Sequence, residues 1–373
     1  MSSATGATAE GTRRYADRLI ASGVASGHFR KQEELCFSSV GIGTYLGHWD
    51  ERTDRMYIEA IKRAVELGSN VIDSAINYRF QRSERAIGQA LKQVFDAGKA
   101  ARDEIIVATK GGFIPFEDEP PRDARQWIME NLINNGVARP EDIVGGSHCM
   151  SPSYLEDQLN RSLENLGLER IDIYYVHNPE SQFQAVSGDE FDRRLRAAFE
   201  FLERAVADGR IGLYGTATWN GYRQPPNTRG YLSLAGIEKI AREVAGERHH
   251  FRVIQLPYNL AMPEAITEAN QTVDGEQLSA LMAAGRLGIT VMCSASILQA
   301  KLAQNLPPFI GEALTGLKTD AQRAIQFVRS TPGVTTALVG MSQRPHVEEN
   351  LAVAKVPPAS VEDFFKIFSS EEA

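Results

Sequence analysis

The stretch Asn70–Leu91, NVIDSAINYRFQRSERAIGQAL, decides the fold of this chain. An apolar run closes on a carboxylate at Asp73, and a phenol follows at Tyr78. An Asp after a strand most often starts or caps a turn. It takes on another meaning only where other strands also end on ionisable side chains.

Short β-branched or apolar runs alternate with longer amphipathic ones along nearly the whole chain, the sequence form of repeated βα units. Runs at Ser39–Ile42, Asn70–Ile72, Ile105–Ala108, Ile171–Val176, Ile211–Gly215, Arg252–Leu256, Ile289–Cys293 and Thr336–Val339 predict about eight strands. Between them, segments such as MYIEAIKRAVELG (56–68), YLEDQLNRSLENLG (154–167), AFEFLERAVADG (198–209) and AQRAIQFVR (321–329) repeat apolar residues at helical spacing. Gly68, Gly167 and Gly209 close three of these helical patterns, where a left-handed residue is wanted.

The connections are lopsided. Helix-to-strand returns are tight, whereas strand-to-helix links are long at Gly111–Pro152, His177–Asp189, Trp219–Ser233 and Ser294–Thr319. In a parallel (β/α)8 TIM barrel all the long links emerge at the carboxyl ends of the strands, where that fold builds its active site. A doubly wound sheet would instead need a glycine-rich phosphate turn, and GIGTYLG at Gly41–Gly47 misplaces its third glycine. The expected architecture is therefore a single-domain α/β (β/α)8 barrel over residues 31–355, with a long inserted loop after the third strand. A polar N-terminal arm, 1–30, poor in periodicity and read as mobile or appended, precedes it, and a C-terminal tail, 356–373, follows.

Composition narrows the function. The chain has 373 residues, 43% apolar and 24% charged, with a net charge of −8. That is an ordinary globular balance, and its sign argues against a nucleic-acid or anionic-membrane partner. Cys36, Cys149 and Cys293 are too scattered for a metal or redox motif, so no metal site is expected and a reducing compartment is. With no signal-peptide core and no bilayer-length apolar run, a cytoplasmic location is expected.

Reading along the strand ends brings together Asp73, Tyr78, Lys110 in IIVATKGG and His177 in IDIYYVHNPE. A lysine or histidine at such a place is more often solvated or structural, but four ionisable groups on successive strand ends form a set. A phenol, with an ordinary pKa near ~10, becomes a useful acid when a neighbouring cation stabilises its anion. Lys110 is that cation, Asp73 holds the ammonium, and His177 orients a carbonyl oxygen. Such a set suits protonation of the alkoxide formed when hydride reaches an aldehyde or ketone.

These segments resemble the aldo-keto reductase superfamily from about Phe37 to about Leu351: IDSAINY and SERAIGQAL after the second strand, VATK on the third and IDIYYVH on the fourth. The resemblance implies a (β/α)8 barrel using NADPH, with NADH possible, on a small carbonyl or alcohol. It assigns the catalytic set to Asp73, Tyr78, Lys110 and His177. By resemblance Gly43 and Thr44 meet the nicotinamide end, Asp73 its ribose and Gln255 the carboxamide, with Thr218 and Ser294 as further cofactor contacts. The segment LVGMSQRPHVEEN then implies adenosine-phosphate contacts by Gly340, Met341, Ser342, Arg344, Glu349 and Asn350.

Three departures accompany it. Ala217 and Thr218 stand where the family has Ser-Asn, Cys293 where an aromatic stacks on the nicotinamide, and His346 where a second phosphate-binding arginine is common. In the inserted loop, Phe113 or Trp127 either walls the substrate pocket or packs outside the barrel, and Trp49 and Trp219 are substrate-wall candidates. The oligomeric state is not legible in the sequence. Two alternatives stay open: a redox-neutral epimerase, lyase or dehydratase on the same barrel, and a cofactor-binding regulatory protein with little turnover.

Overall fold

The computed structural model describes residues 5–369. Eight parallel strands close on themselves: β1 (Val40–Gly43), β2 (Val71–Asp73), β3 (Ile106–Gly111), β4 (Ile171–His177), β5 (Ile211–Ala217), β6 (Phe251–Pro257), β7 (Thr290–Ser294) and β8 (Thr336–Gly340). Ala337 pairs with Val40 to shut the ring. All eight fall on the predicted runs, because strands buried on both faces read as continuous β-branched and apolar segments. Val71, Ile106, Ala108, Ile173, Val253 and Met292 fill the barrel, and a second, larger apolar layer joins strands to helices. Gly68, Gly167 and Gly209 all have positive φ, as their places at helix ends predict.

The ends of the chain differ from expectation. Residues 9–21 form a helix, not an arm: Tyr15 is fully buried and its hydroxyl donates to Val65 O at 2.5 Å. Arg14 and Arg18 pair with the buried Glu104 at 2.9 and 2.8 Å. That docking is partly ionic, so apolar periodicity alone does not reveal it. The hairpin Phe29–Gln32/Leu35–Ser38 then sets Phe37 into the barrel interior at the amino ends of the strands. At the other terminus, helix Val361–Ser369 buries Phe364 against Phe327, ring centroids 5.4 Å apart. The outermost parts of the expected arm and tail, 1–4 and 370–373, lie outside the described residues.

The inserted loop has a small core of its own, with Ile114, Ile128, Leu132 and Tyr154 buried together. Trp127 packs there against Phe116, 5.2 Å between ring centroids, so it faces away from the barrel mouth. No helix among the described residues is long and apolar enough to cross a membrane.

Candidate active site

The motif after β2 explains its own spacing. Ser83 donates to Thr44 Oγ1 at 2.7 Å, and Thr44 in turn donates to Asp73 O at 3.0 Å, tying the start of the following helix to the ends of β1 and β2. Glu84, buried and pushed up in pKa by that burial, accepts from Thr109 of β3 at 2.6 Å and from Asn165 at 3.0 Å. Asp73 is thereby held at a rigid strand end.

Its carboxylate is fully engaged. Lys110 Nζ donates to Asp73 Oδ2 at 2.7 Å and to Ser74 O at 2.6 Å, while Gln255 Nε2 donates to Asp73 Oδ1 at 2.7 Å. Lys110 is 1% exposed and its pKa is lowered by desolvation, an effect the charge of Asp73 opposes. The ammonium stands over the Tyr78 ring, 5.2 Å from its centroid. Tyr78 also meets His177 and Tyr45 edge to face, with centroids 6.0 and 4.9 Å away. The four strand-end candidates thus converge on one barrel mouth.

Their protonation states differ from the simplest expectation. Burial raises the Tyr78 phenol well above its ordinary value, with further upward pushes from Asp73 and Tyr45. Lys110, its charge answered by Asp73, does not acidify it in the resting site. Burial likewise lowers His177 well below the usual histidine range, assisted by Lys110 and then His148. At neutral pH the site therefore holds a protonated phenol and a neutral imidazole.

A cavity of about 890 Å³ opens above these groups. Its lining includes Gly43, Thr44, Tyr78, His177, Thr218 and Gln255 at the end over the tetrad. It continues past Ser294 to Gly340, Ser342, Glu349 and Asn350 at the other.

The Aldo/keto reductase family model matches residues 39–305 of the chain. The chain belongs to the aldo/keto reductase family. Among curated relatives, the NADH-specific methylglyoxal reductase of Escherichia coli strain K12 is 30% identical over 212 residues, 56% of this chain and 55% of the relative. D-threo-aldose 1-dehydrogenase of a Pseudomonas species is 27% identical over 155 residues, 42% of this chain and 41% of the relative. The chain thus spans about half the length of the curated relatives it matches, or less. Among solved structures, an aldo/keto reductase from Klebsiella pneumoniae in complex with NADP and acetate superposes with TM-score 0.59 at 19% identity, covering 92% of this chain and 95% of that one. The holo form of an aldo-keto reductase from Bacillus halodurans gives TM-score 0.61 at 20% identity, covering 91% and 95%.

The family resemblance places several residues differently from the geometry. Met341 is fully buried and outside the cavity lining. Arg344, its side chain 61% exposed, is also outside it and pairs with Glu348 at 3.1 Å, a carboxylate that Arg63 shares at 2.9 Å. Cys293 joins the layer between strands and helices and does not reach the cavity; the alternation of β7 gives that direction to it and the barrel interior to Met292. Trp49 packs on Phe80, 5.1 Å between centroids, away from the lining, whereas Trp219 lines the mouth. Gln255, implied as a carboxamide partner, lines the cavity and gives one N–H of its amide to Asp73.

Tyr45, Asn77 and Asn178 line the cavity without having been singled out in the sequence, while Phe113 and Glu180 find their places only in the fold. Phe113 lies 5.0 Å from His177, edge to face, which decides between its two alternatives. Glu180, buried enough for its pKa to rise, accepts from the backbone of Trp219 at 2.8 Å and Asn220 at 3.2 Å, and so pins the loop that carries Trp219. Asn77 Oδ1, His177 Nδ1 and Thr218 Oγ1 are buried without protein partners in residues that line the cavity. Such atoms are the sign of a site shaped for a polar ligand. Nothing in the local pattern marks Glu180, since it acts across a loop distant in sequence.

The buried neutral histidines also bear on stability. Burial lowers His28 to about 3 and His148 to about 4. Between those values and about 6.5 the unfolded chain binds protons that the fold refuses, so stability is lost as pH falls through that window. Each such histidine costs about 1.4 kcal/mol per pH unit there. Urea midpoints measured at pH 7, 5.5 and 4.5 should fall steadily; a flat series would mean that these rings protonate freely in the fold.

Proposed function

We propose that this chain reduces an uncharged aldehyde or ketone with a nicotinamide dinucleotide, NADPH or NADH, or runs the reverse oxidation. The observation that carries it is the convergence of Tyr78, the Lys110–Asp73 pair and His177 at one end of a cavity long enough to continue to Asn350. The cavity fits the cofactor: bare backbone at Gly43 and Gly340, and the unpartnered Thr218 Oγ1, which offers the carboxamide a replacement for the family's Ser-Asn. When bound, the dinucleotide supplies the hydride. Tyr78 gives its proton to the carbonyl oxygen, a favourable transfer because an alkoxide is a stronger base than a phenolate. The neutral His177 flanks that oxygen. Lys110 answers the phenolate left behind, at which point its attraction to Tyr78 rises and its pairing with Asp73 keeps it in place.

No lysine or arginine lines the cavity among the described residues, while Tyr45, Phe113 and Trp219 do. At the aromatic end over Tyr78 no lysine or arginine waits for a substrate anion, which favours an uncharged carbonyl. Purified protein should consume NADPH or NADH only when an aldehyde or ketone is added; methylglyoxal and benzaldehyde are suitable members of a panel. Conversion of a substrate with no change in the dinucleotide would replace this reading with a redox-neutral one, and dinucleotide binding without any turnover would favour a regulatory role.

Arg344 is the candidate reader of the 2′-phosphate. Its pairing with Glu348 is solvent-exposed and therefore weak, whereas a charge-assisted bond to an anion is worth about 1.5–3 kcal/mol. A phosphate would therefore draw it away. Fluorescence titration of Arg344→Ala should find NADPH binding weakened about tenfold or more and NADH binding unchanged. Equal weakening of both would remove Arg344 from that role.

A further inference from the structure

The inserted loop has no part in the chemistry above, yet one of its residues touches the site from behind. His148 Nε2 lies 2.7 Å from the backbone carbonyl of His177, 29 residues away in sequence. Its other ring nitrogen, Nδ1, lies 2.8 Å from Gln182 Nε2, and Gln182 Oε1 lies 2.8 Å from Arg194 Nη1.

The polarity of this chain of contacts follows from its ends. An arginine only donates, so Gln182 turns its oxygen to Arg194 and its amide N–H to His148. His148 Nδ1 must then accept, which leaves Nε2 as the protonated nitrogen, and the His177 carbonyl only accepts. Every group has one role and one partner direction. Arg194 is itself fixed by Glu190 Oε1 at 2.7 Å and Glu141 O at 3.0 Å. The approach also requires a bare backbone at Gly112, whose φ is +146°: a Cβ there would stand 2.8 Å from His177 O and 3.0 Å from His148 Nε2. Phe113 completes the support, edge to face with His148 at 5.3 Å and with His177 at 5.0 Å.

We propose that His148 is a positioning residue for the reaction: the inserted loop uses it to hold the His177 peptide and so aim the His177 ring at Tyr78. The next residue, Asn178, has φ of +46°, a left-handed conformation that a held carbonyl helps to maintain. Asn178 N–H of the same peptide also donates to Ala217 O at 2.6 Å, so freeing the carbonyl from His148 would loosen one of two anchors and let the imidazole drift from the carbonyl oxygen. The claim rests on the reductase reading for its consequence and on the hydrogen-bond chain for its geometry.

The test is a set of variants in the full chain. His148→Ala should lower kcat on uncharged aldehydes about ten- to hundredfold, with KM and dinucleotide affinity within about twofold. His148→Gln, whose terminal amide can still donate from nearly the same place, should recover most of that loss. In a His177→Ala background, His148→Ala should cost nothing more, since it acts only through that ring. Full kcat in a folded His148→Ala, or an equal loss in both backgrounds, overturns the proposal. If the wild-type chain reduces no carbonyl, the reductase reading falls by itself. NMR then still decides the contact: His177 ring signals must shift in His148→Ala and return towards wild type in His148→Gln, and unmoved signals overturn it.

Discussion

Replacing Tyr78 with phenylalanine should lower turnover about a hundredfold or more, the usual scale for losing a positioned general acid. The ring contacts with Tyr45 and His177 survive the change, because they are made by the aromatic edge and face and not by the hydroxyl. Packing and dinucleotide affinity should therefore hold to within about twofold. Burial keeps the resting phenol protonated, so the wild-type rate should not fall as pH rises through neutrality on account of this group. Near-full carbonyl reduction by Tyr78→Phe would mean that the proton comes from elsewhere.

Lys110→Met should have two effects of different origin. The ammonium is buried and bonded to Asp73 and Ser74 O, so its removal leaves Asp73 a buried carboxylate held, among the described residues, by Gln255. Breaking a buried pair on one side costs about 3–5 kcal/mol of folding stability. Turnover should also fall about a hundredfold, since the phenolate formed at Tyr78 loses its counter-charge. The two losses separate in a double variant. Adding Asp73→Asn removes the stranded charge and should restore most of the stability measured by urea unfolding, while turnover stays low. Combining Lys110→Met with Tyr78→Phe should be little worse for turnover than either alone, because the two act in one step. A Lys110→Met protein with wild-type stability would show that the pair contributes nothing net to folding.

The resting geometry changes how the lysine is understood. Strand-end order suggests a cation that acidifies the tyrosine beforehand, whereas the side chain stands over the ring face with its charge committed to Asp73. In the proposed reaction its contribution would go to the product phenolate more than to the ground state, which is where differential stabilisation raises a rate.

The sequence by itself determined the eight strands and the four ionisable strand ends through local periodicity, and their parallel closure through the long strand-to-helix links and the misplaced glycine of GIGTYLG. A strand buried on both faces must be apolar throughout, and in a parallel barrel its last residues are delivered to one rim whatever the rest of the chain does. Asp73, Lys110 and His177 needed only that rule, and Tyr78 one turn more. Tertiary structure alone decided what long or charged side chains do once several partners are within reach. Arg344 pairs with Glu348 outside the cavity, Gln255 gives its N–H to Asp73, and Arg14 and Arg18 dock the first helix on Glu104. The same holds for His148, whose place behind His177 depends on Gly112, Gln182 and Arg194 from three separate segments. Periodicity fixes which face a residue takes, but a hydrogen bond also needs a partner's position, and that exists only when the chain has folded.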